Sequence, residues 1–353
     1  MFDTAVLIGR FQPVHSGHLA LLHAALAQAR QVVVVVGSAF QARTPKNPFT
    51  WPERAALLRA CLPEDVQARL HVLPMRDFYD EPRWAQAVQA AVHTVAAAQT
   101  AQPRIALVGH FKDASSNYLE AFPEWPLIRL ERQGQIDATA VRDAWLGTPS
   151  TATATQRDAA LAPFAAQLPA PVHQWLHDFA QSTHYPALQH EWRTLRAYRQ
   201  AWATAPYPPV FVTVDAVLRC QGQVLLVRRA HAPGAGLWAL PGGFLEPHDT
   251  LWQSCLRELA EETHLALSEA SLAAALRQVR VFDHPQRSQR GRTITHVHYF
   301  DLDGPSLPAV RGGDDAAHAS WVPWNHLPAL EEAFFEDHFH ILSLAPPGAQ
   351  CLP

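Results

Sequence analysis

The chain has 353 residues, of which 48% are hydrophobic and 17% charged, and its net charge at pH 7 is −4. That length exceeds one average domain, so we expect two. Because the charge is slightly negative and no basic run is present, nucleic-acid binding is disfavoured as a main activity. The longest aliphatic stretch, VVVVV at 32–36, is too short to cross a bilayer, and we expect no membrane partner.

The four cysteines lie far apart and form no CxxC pair, so neither a disulfide framework nor a zinc site is predicted. The first residues show no pattern of positive charge followed by an apolar run, which a secretory signal would require. We therefore expect a reducing, cytoplasmic environment.

The first 150 residues alternate between strand and helix patterns. TAVLIG, VVVVVGSA, LHVLPM and RIALVG predict buried strands, whereas HLALLHAALAQA, TWPERAALLRACL and RWAQAVQAAVHTVAAA have helical spacing. This alternation predicts an α/β fold with a doubly wound, Rossmann-like parallel sheet.

The second half of the chain has a different organisation. Residues 148–156 predict a loop, 171–203 have helical spacing, and TAPYPP at 204–209 is the best candidate linker because prolines break both helix and strand. The next alternating runs predict a hairpin around Gly222. We therefore expect one domain over 1–203 and a second over 204–353.

The segment GRFQPVHSGH, from Gly9 to His18, follows the first predicted strand. Ligands of open α/β sheets bind at the carboxyl ends of the strands, where a helix N-terminus offers free N–H groups and positive potential. Gly17 allows close approach of the backbone, His15 and His18 add imidazole donors, and Arg10 adds a fixed charge. The segment therefore predicts an anion site.

This stretch resembles the HxGH motif of the nucleotidyltransferase superfamily. Further blocks resemble, in order, those of archaeal-type nicotinamide mononucleotide (NMN) adenylyltransferases: GSA (37–39), NPFTWPER (47–54), RDFYDEPRW (76–84), GHFKDASSNYLEAFPEW (109–125) and IDATAVR (136–142). The resemblance covers about residues 3–145. It implies adenylyl transfer from ATP to NMN, which releases pyrophosphate; another phosphomonoester acceptor is the alternative.

The resemblance also implies roles for individual residues. His15 and His18 would contact the ATP phosphates and the transition state, in a cradle that includes Gly9, Arg10 and Gly17. Five further residues would complete the site: Arg54 near a phosphate, Trp84 stacked on the nicotinamide with Asp77 near that ring, and Thr139 with Arg142 over the triphosphate. Asp137 stands where the family has a serine.

The segment from 242 to 265, GGFLEPHDTLWQSCLRELAEETHL, predicts a helix with a cluster of carboxylates. Asp249 is expected to cap that helix. Glu258, Glu261 and Glu262 repel one another unless a cation lies between them, and oxygen ligands favour Mg²⁺ or Mn²⁺. A solvated acidic face is the alternative.

The same segment resembles the Nudix box, Gly-x5-Glu-x7-Arg-Glu-U-x-Glu-Glu-x-Gly-U, where U is aliphatic. The positions in register are Gly243, Arg257, Glu258, Leu259, Glu261, Glu262 and Leu265, whereas Asp249 and His264 replace the first glutamate and the late glycine. The resemblance implies an α/β/α Nudix domain in which Glu258 and Glu262 bind the metal, Glu261 assists and the Gly242 carbonyl joins them.

Residues 282–300 predict a basic loop between strands, and Arg287, Arg290 and Arg292 suit a diphosphate. This loop is similar to that of Nudix domains fused to NMN adenylyltransferases, which favour ADP-ribose and release AMP and ribose 5-phosphate. A solvated loop, or a Nudix domain that only senses a nucleotide, is the alternative.

The sequence thus predicts a bifunctional enzyme of NAD metabolism with ATP as substrate and Mg²⁺ or Mn²⁺ at both sites. Whether it forms a homo-oligomer stays open.

Overall fold

The computed structural model describes residues 1–98, 100–109, 119–130 and 136–346, and the chain divides into two compact units. These units are Met1–Trp192 and Arg193–Pro353. The dividing point lies inside a helix that precedes 204–209, a segment with neither helix nor strand. The sequence places the border later, at 203/204, and that border stays a prediction.

The first unit is built on a five-stranded parallel sheet with the order β3-β2-β1-β4-β5. In β2, alternate valines enter two separate cores, with Val32 and Val34 in one and Val33 and Val35 in the other. A strand buried on both faces is typical of a parallel sheet covered by helices on each side. The strands are β1 (Phe2–Gly9), β2 (Ala29–Val36), β3 (Leu70–Pro74), β4 (Ile105–Gly109) and β5 (Leu127–Arg129).

Helices cover both faces of this sheet, which confirms the predicted α/β class. Leu22 of α1 and Leu176 of α7 pack in one core, whereas Val88 of α4 packs in the other. The helices are α1 (Ser16–Gln28), α2 (Trp51–Ala60), α3 (Glu64–Gln67), α4 (Glu81–Ala97), α5 (Ala138–Leu146), α6 (Ala154–Leu161), α7 (Ala170–Phe179) and α8 (His184–Ala201). Because α6 begins at Ala154, the predicted loop over 148–156 is too long by three residues.

The second unit contains a mixed sheet with the order β10-β11-β6-β7-β12, to which β8 and β9 add by pairing with β7 and β6. The pair β6–β11 is parallel and the others are antiparallel. Gln221 and Gly222 connect β6 to β7 with φ of 49° and 72°, as a tight hairpin requires. The strands are β6 (Val210–Cys220), β7 (Gln223–Arg229), β8 (Trp238–Ala239), β9 (Gly242–Phe244), β10 (Leu276–Phe282), β11 (Arg292–Leu302) and β12 (Ala316–Pro323).

Both faces of this sheet also have helical cover, as the predicted α/β/α arrangement requires. The helices α9 (Leu251–Thr263) and α10 (Glu269–Ala275) pack on one face, and α11 (His338–Ser343) with the 3-10 segment Trp324–Ala333 packs on the other. Among the helices of the described ranges, none is long and apolar enough to span a bilayer.

The two ends of α9 differ from the sequence expectation. The N-cap is Thr250, whose hydroxyl accepts from the Gln253 N–H while the Gln253 side chain accepts from the Thr250 N–H. The prediction that Asp249 caps this helix is therefore wrong. Asp249 instead accepts hydrogen bonds from Ser254 and Arg257.

The C-terminal end of α9 has a strained residue. His264 adopts φ 50° and ψ 30°, the left-handed conformation that favours glycine. A side chain there costs roughly 1–2 kcal/mol. The His264 Nδ1 lies 3.1 Å from the Arg311 carbonyl oxygen, which offsets part of that cost.

We expect His264→Gly to raise the free energy of unfolding by about 1 kcal/mol, because relief of the left-handed strain exceeds the added chain entropy and the lost contact to Arg311. Urea unfolding followed by circular dichroism measures this change. His264→Ala is the matched control, since it removes the imidazole but leaves a Cβ in the strained conformation, and it should not stabilise. A His264→Gly chain that unfolds at lower urea than the wild type would show that the imidazole contact dominates.

Candidate active sites

The first candidate site lies where β1 and β2 end. The Gly37 N–H donates to the Gly9 carbonyl oxygen at 2.9 Å, which joins the segments that follow the two strands. Helix α1 begins at Ser16, with His15 as its N-cap residue. The positive dipole end of α1 thus lies at the carboxyl edge of the sheet, a position that favours anions.

His15 and His18 form a stacked pair at this helix end. Their ring centroids are 3.7 Å apart with an interplanar angle of 25°, and Phe11 packs against His18 at 4.7 Å. A Cβ on Gly17 would lie 3.2 Å from the His15 ring, tighter than most real contacts, so glycine keeps the imidazole in place. The structure therefore brings together the two histidines of the motif.

Arg54 has a different environment from the one that the resemblance implies. Its guanidinium is buried and donates to the carbonyl oxygens of Arg10 and Gly37, both at 2.7 Å, and to that of Ser38 at 3.1 Å. Burial lowers the pKa of Arg54 to about 10. The geometry thus favours a structural role, in which Arg54 fixes the turns after β1 and β2, over contact with a phosphate.

Arg142 connects α5 to the histidine segment. Its Nη1 donates to the Gln12 carbonyl oxygen at 2.6 Å and its Nη2 to the Thr139 hydroxyl at 3.2 Å. Burial, followed by the positive charge of Arg10, lowers the pKa of Arg142 to about 10. An anion beside these two guanidinium groups would offset their repulsion.

Asp137 is the N-cap of α5, and its Oδ1 accepts from the Thr139 N–H at 2.9 Å. Thr139 itself is exposed. The carboxylate at the position of the family's serine thus binds the first turn of this helix. Thr139 and Arg142 lie together at that turn, as the motif predicts.

Asp77 and Trp84 follow β3. Asp77 accepts from the Ser38 hydroxyl at 2.8 Å and from the Gln41 side chain at 3.0 Å, two partners that the sequence did not predict. Trp84, in the first turn of α4, is half-buried and meets Phe122 edge-on at 5.6 Å. Residues 110–118 of the block at 109–125 lie outside the described residues.

The second candidate site is formed by α9 and β9. Arg257 binds three carboxylates, with distances of 3.2 Å to Asp249 and 3.0 Å to both Glu258 and Glu261. The arginine therefore holds this acidic surface together. Leu259 and Cys255 of the same helix face the core.

Glu262 is nearly buried, and its Oε2 accepts from the Gly242 N–H at 2.9 Å. Burial raises the pKa of Glu262 to about 8, and it also raises the pKa of Glu258. A Cβ on Gly243 would lie 2.5 Å from the Glu258 carboxyl carbon, so this glycine makes room for the carboxylate. Buried carboxyl groups that resist ionisation are suited to a hard divalent cation, because the cation would stabilise their charged forms.

No three His, Cys, Asp or Glu side chains within the described ranges are already arranged as a ligand group. Arg257 binds Glu258 and Glu261, two carboxylates that a cation would take. The residues thus fit the cation in type and burial, but Glu258 and Glu261 would have to exchange Arg257 for the metal.

The three arginines of the basic loop have different environments. Arg287 is buried and forms a two-fold ion pair with Asp337 at 2.8 and 2.9 Å, so its geometry favours a structural role. Arg290 lies 4.9 Å above the ring of Phe244, which directly follows the site glycines. Arg292 is the first residue of β11 and donates to the Asp283 carbonyl oxygen. Diphosphate binding by Arg290 and Arg292 stays a prediction.

A buried polar pair under this site was not predicted from the sequence. Asp215 of β6 accepts from the Thr295 hydroxyl, and its Oδ1 lies 4.0 Å from the His338 Nε2. The Leu240 N–H donates to the His338 Nδ1 at 2.9 Å, so the neutral ring carries its proton on Nε2, toward Asp215. Burial lowers the pKa of His338 to about 3. A lone aspartate inside the apolar run FVTVDAVL was the available signal for Asp215.

Two protein families match separate parts of the chain. The family described as cytidylyltransferase-like matches residues 6–148, and the NUDIX domain family matches residues 208–344. A nicotinamide/nicotinic acid mononucleotide adenylyltransferase of Acinetobacter baylyi is 39% identical over 145 residues, which are 41% of this chain and 76% of that protein. An ADP-ribose pyrophosphatase of Methanocaldococcus jannaschii is 37% identical over 34% of this chain and 65% of that protein.

A similar solved structure spans both units. It is the crystal structure of a bifunctional NMN adenylyltransferase/ADP ribose pyrophosphatase from Francisella tularensis, complexed with AMP and a Mn ion. It is 35% identical to this chain, covers 98% of both chains and has a TM-score of 0.86. The two motifs, the two folds and this match over nearly the whole length show that the chain belongs to the family of bifunctional NMN adenylyltransferases/ADP-ribose pyrophosphatases.

Proposed function

We propose that the first unit transfers the adenylyl group of ATP to NMN and releases NAD⁺ and pyrophosphate. The observation that carries this proposal is the stacked pair of His15 and His18 at the N-terminus of α1, on a segment whose Gln12 carbonyl oxygen binds Arg142 and whose Arg10 lies near that arginine. This arrangement concentrates hydrogen-bond donors and positive charge on one spot, as a triphosphate requires.

The chemistry needs alignment and charge neutralisation rather than a strong base. The phosphate of NMN is already an anion at neutral pH, so it can attack the α-phosphorus of ATP directly while pyrophosphate leaves on the opposite side. His15 and His18 donate to the phosphate oxygens as negative charge moves toward the leaving group. Arg10, Thr139 and Arg142 bind the remainder of the triphosphate.

We assign the nicotinamide end of NMN to the residues after β3. Trp84 offers an aromatic face for stacking, and Asp77 lies on the same segment. Ser38 and Gln41 hold the Asp77 carboxylate at 2.8 and 3.0 Å, so its position is fixed before a substrate binds.

We propose that the second unit hydrolyses ADP-ribose to AMP and ribose 5-phosphate. Glu258 and Glu262, with help from Glu261 and the Gly242 carbonyl, would hold Mg²⁺ or Mn²⁺. When bound, that cation supplies activation of water and neutralisation of the diphosphate. Arg257 orients the carboxylates, and the buried position of Glu262 against Gly242 is the observation that carries this assignment.

The proposed partners are small molecules: NMN, ATP and ADP-ribose, with Mg²⁺ accompanying the triphosphate. We propose a cytoplasmic location and neither a nucleic-acid nor a membrane partner. This rests on the net charge of −4 and on cysteines without a pairing pattern.

We expect His18→Ala to reduce NAD⁺ formation by on the order of a hundredfold, as for the loss of one transition-state donor. ADP-ribose hydrolysis should be unchanged, because the carboxylate site lies in the other unit. His23→Ala is the matched control, since His23 is an exposed residue of the same helix. If His18→Ala and His23→Ala form NAD⁺ equally fast, the histidine pair is not the phosphate site.

We expect Gly243→Ala to reduce ADP-ribose hydrolysis at least about tenfold with little change in stability. The new Cβ would displace the Glu258 carboxylate, which is the end of a flexible side chain and can move, but which would then leave the metal position. Steady-state kinetics at several Mg²⁺ concentrations measure the effect. Gly304→Ala is the control, because its Cβ would meet its nearest atom at an ordinary 3.7 Å. Equal hydrolysis by the two variants would contradict the assignment of Glu258.

We expect Glu262→Gln to reduce ADP-ribose hydrolysis by orders of magnitude while NAD⁺ formation persists, because a charged ligand is lost. It should also change the pH dependence of stability in the presence of a chelator. Burial raises the pKa of Glu262 from an ordinary value of 4.5 to about 8, so the folded state binds the extra proton between these values and stability falls as pH rises through that window.

Glu262→Gln should remove this fall in stability, and thermal unfolding at pH 5 and pH 8 measures it. Glu261→Gln is the control for stability, since the Glu261 side chain is 45% exposed. A wild type and a Glu262→Gln variant with the same pH dependence would show that Glu262 is not held in a charge-excluding position.

A further inference from the structure

The link between β8 and β9 is held by side chains from two helices. Leu240 and Gly242 lie on either side of a proline in this link, and both of their N–H groups bind a side chain. The Gly242 N–H donates to the Glu262 Oε2 of α9 at 2.9 Å. The Leu240 N–H donates to the His338 Nδ1 of α11 at 2.9 Å, across 98 residues of sequence.

The residue between them completes the hydrogen bonding of the link. Pro241 has no N–H, and its carbonyl oxygen accepts from the Ala216 N–H of β6 at 2.9 Å. The link is therefore held at three consecutive residues. Leu240 lies only two residues before the Gly242 carbonyl that is assigned to the cation, so a displacement of the Leu240 N–H would turn that carbonyl.

The start of α11 is a rigid support for the imidazole. The Phe335 N–H donates to the Trp238 carbonyl oxygen of β8 at 2.8 Å. Asp337 forms its two-fold ion pair with Arg287 at 2.8 and 2.9 Å, and both side chains are only 2% exposed. The residues next to His338 are thus tied to β8 and to the basic loop, which leaves the ring little freedom to move.

The imidazole is also the right acceptor for this position. His338 is buried and neutral, and its Nε2 faces the Asp215 Oδ1 at 4.0 Å, so the proton lies on Nε2 and the lone pair on Nδ1. Leu240 is fully buried as well, so water does not reach its N–H as a replacement acceptor. A buried N–H without an acceptor is unfavourable, and the strand would shift to satisfy it.

We infer that His338 is a positioning residue for the divalent cation of the second unit. It acts through the Leu240 N–H, which fixes the Gly242 carbonyl, rather than through contact with the cation or the substrate. This rests on the proposed hydrolysis of ADP-ribose and deepens it, because it adds to the cation site a residue from outside the segment 242–265 that carries the carboxylates.

The test compares full-length His338→Asn with full-length His338→Gln. The asparagine amide oxygen can take the position of Nδ1 and accept from Leu240, whereas glutamine places its amide at the position of Nε2, toward Asp215. Both variants keep a buried polar group, so a difference between them reports on the acceptor. His340→Gln is the matched control, since His340 lies on the same helix with its ring edge-on to Phe282 at 6.3 Å.

The main readout is Mn²⁺ binding to the nucleotide-free protein, measured by electron paramagnetic resonance of the free ion. We expect the dissociation constant to rise about tenfold in His338→Gln, as for the loss of an outer partner of a metal ligand, and to stay close to that of the wild type in His338→Asn. The titration of Glu262→Gln identifies the binding that belongs to the second unit.

Activity provides a second readout. The Mn²⁺ concentration for half-maximal ADP-ribose hydrolysis should rise in His338→Gln as the dissociation constant does, whereas kcat at saturating Mn²⁺ should change little. NAD⁺ formation should be normal in every His338 variant. His338→Leu also removes the acceptor and should repeat the weaker Mn²⁺ binding, so the result does not depend on the folding of a single variant.

Equal Mn²⁺ dissociation constants in His338→Asn, His338→Gln and His340→Gln would overturn the inference and leave the proposed hydrolysis intact. A His338→Gln variant with a lower melting temperature but an unshifted Mn²⁺ titration would also overturn it, because that result indicates packing alone. A wild type that binds no more Mn²⁺ than Glu262→Gln would refute the proposed cation site of the second unit, and this inference with it.

Discussion

The close approach of β9 to β6 is the constraint on which the second site depends. A Cβ on Gly242 would lie 2.2 Å from the Val214 carbonyl oxygen, so a larger residue would separate the strands. At this distance the Gly242 N–H reaches Glu262, and Gly243 leaves room for Glu258. Burial of a carboxylate without such a donor costs on the order of several kcal/mol, so these two glycines allow α9 to keep acidic side chains against the sheet.

The first site also buries charged side chains, but there the charge is positive. Arg54 and Arg142 are both buried, and their donors go mainly to main-chain carbonyl oxygens, those of Arg10, Gly37, Ser38 and Gln12. A carbonyl satisfies hydrogen bonds without cancelling the positive charge, as a carboxylate would. The turn that carries His15 and His18 thus stays electropositive while it is also held rigid. Arg54 and Arg142 therefore both stabilise this turn and attract anions to it.

Much of this architecture could be predicted from local sequence patterns. The alternation of strands and helices, the hairpin at Gly222 and both motifs depend on neighbouring residues, and the structure confirms the elements predicted from them. The arginines show where local patterns fail, because Arg54 and Arg287 have the same side chain as Arg10 and Arg290 but are buried with structural partners. Their roles depend on partners 44 and 50 residues away, which no spacing rule gives.

Contacts across the fold could not be predicted from local sequence patterns either. The approach of His338 to Asp215 requires the last helix to pack on the sheet opposite α9, and the contact of Tyr198 with Phe244 requires the end of α8 to reach β9. At the start of α9, Asp249 and Thr250 are both good caps by type. Arg257 decides between them, since it binds the Asp249 carboxylate at 3.2 Å and leaves Thr250 for the helix.

The chain departs from the family patterns at Asp137, Asp249 and His264. The cost of each departure in stability depends on whether the new side chain finds a partner or strains the backbone. Asp137 and Asp249 each place a carboxylate where a donor is available, the Thr139 N–H in one case and Arg257 in the other. A polar substitution with a local partner costs little, because its hydrogen bonds are satisfied in the folded state. His264 changes the backbone requirement instead, and its contact to the Arg311 carbonyl oxygen offsets only part of the steric cost of φ 50°. The two aspartates are thus accommodated beside both sites, whereas the replacement of a glycine leaves strain at the end of the helix that carries Glu258 and Glu262.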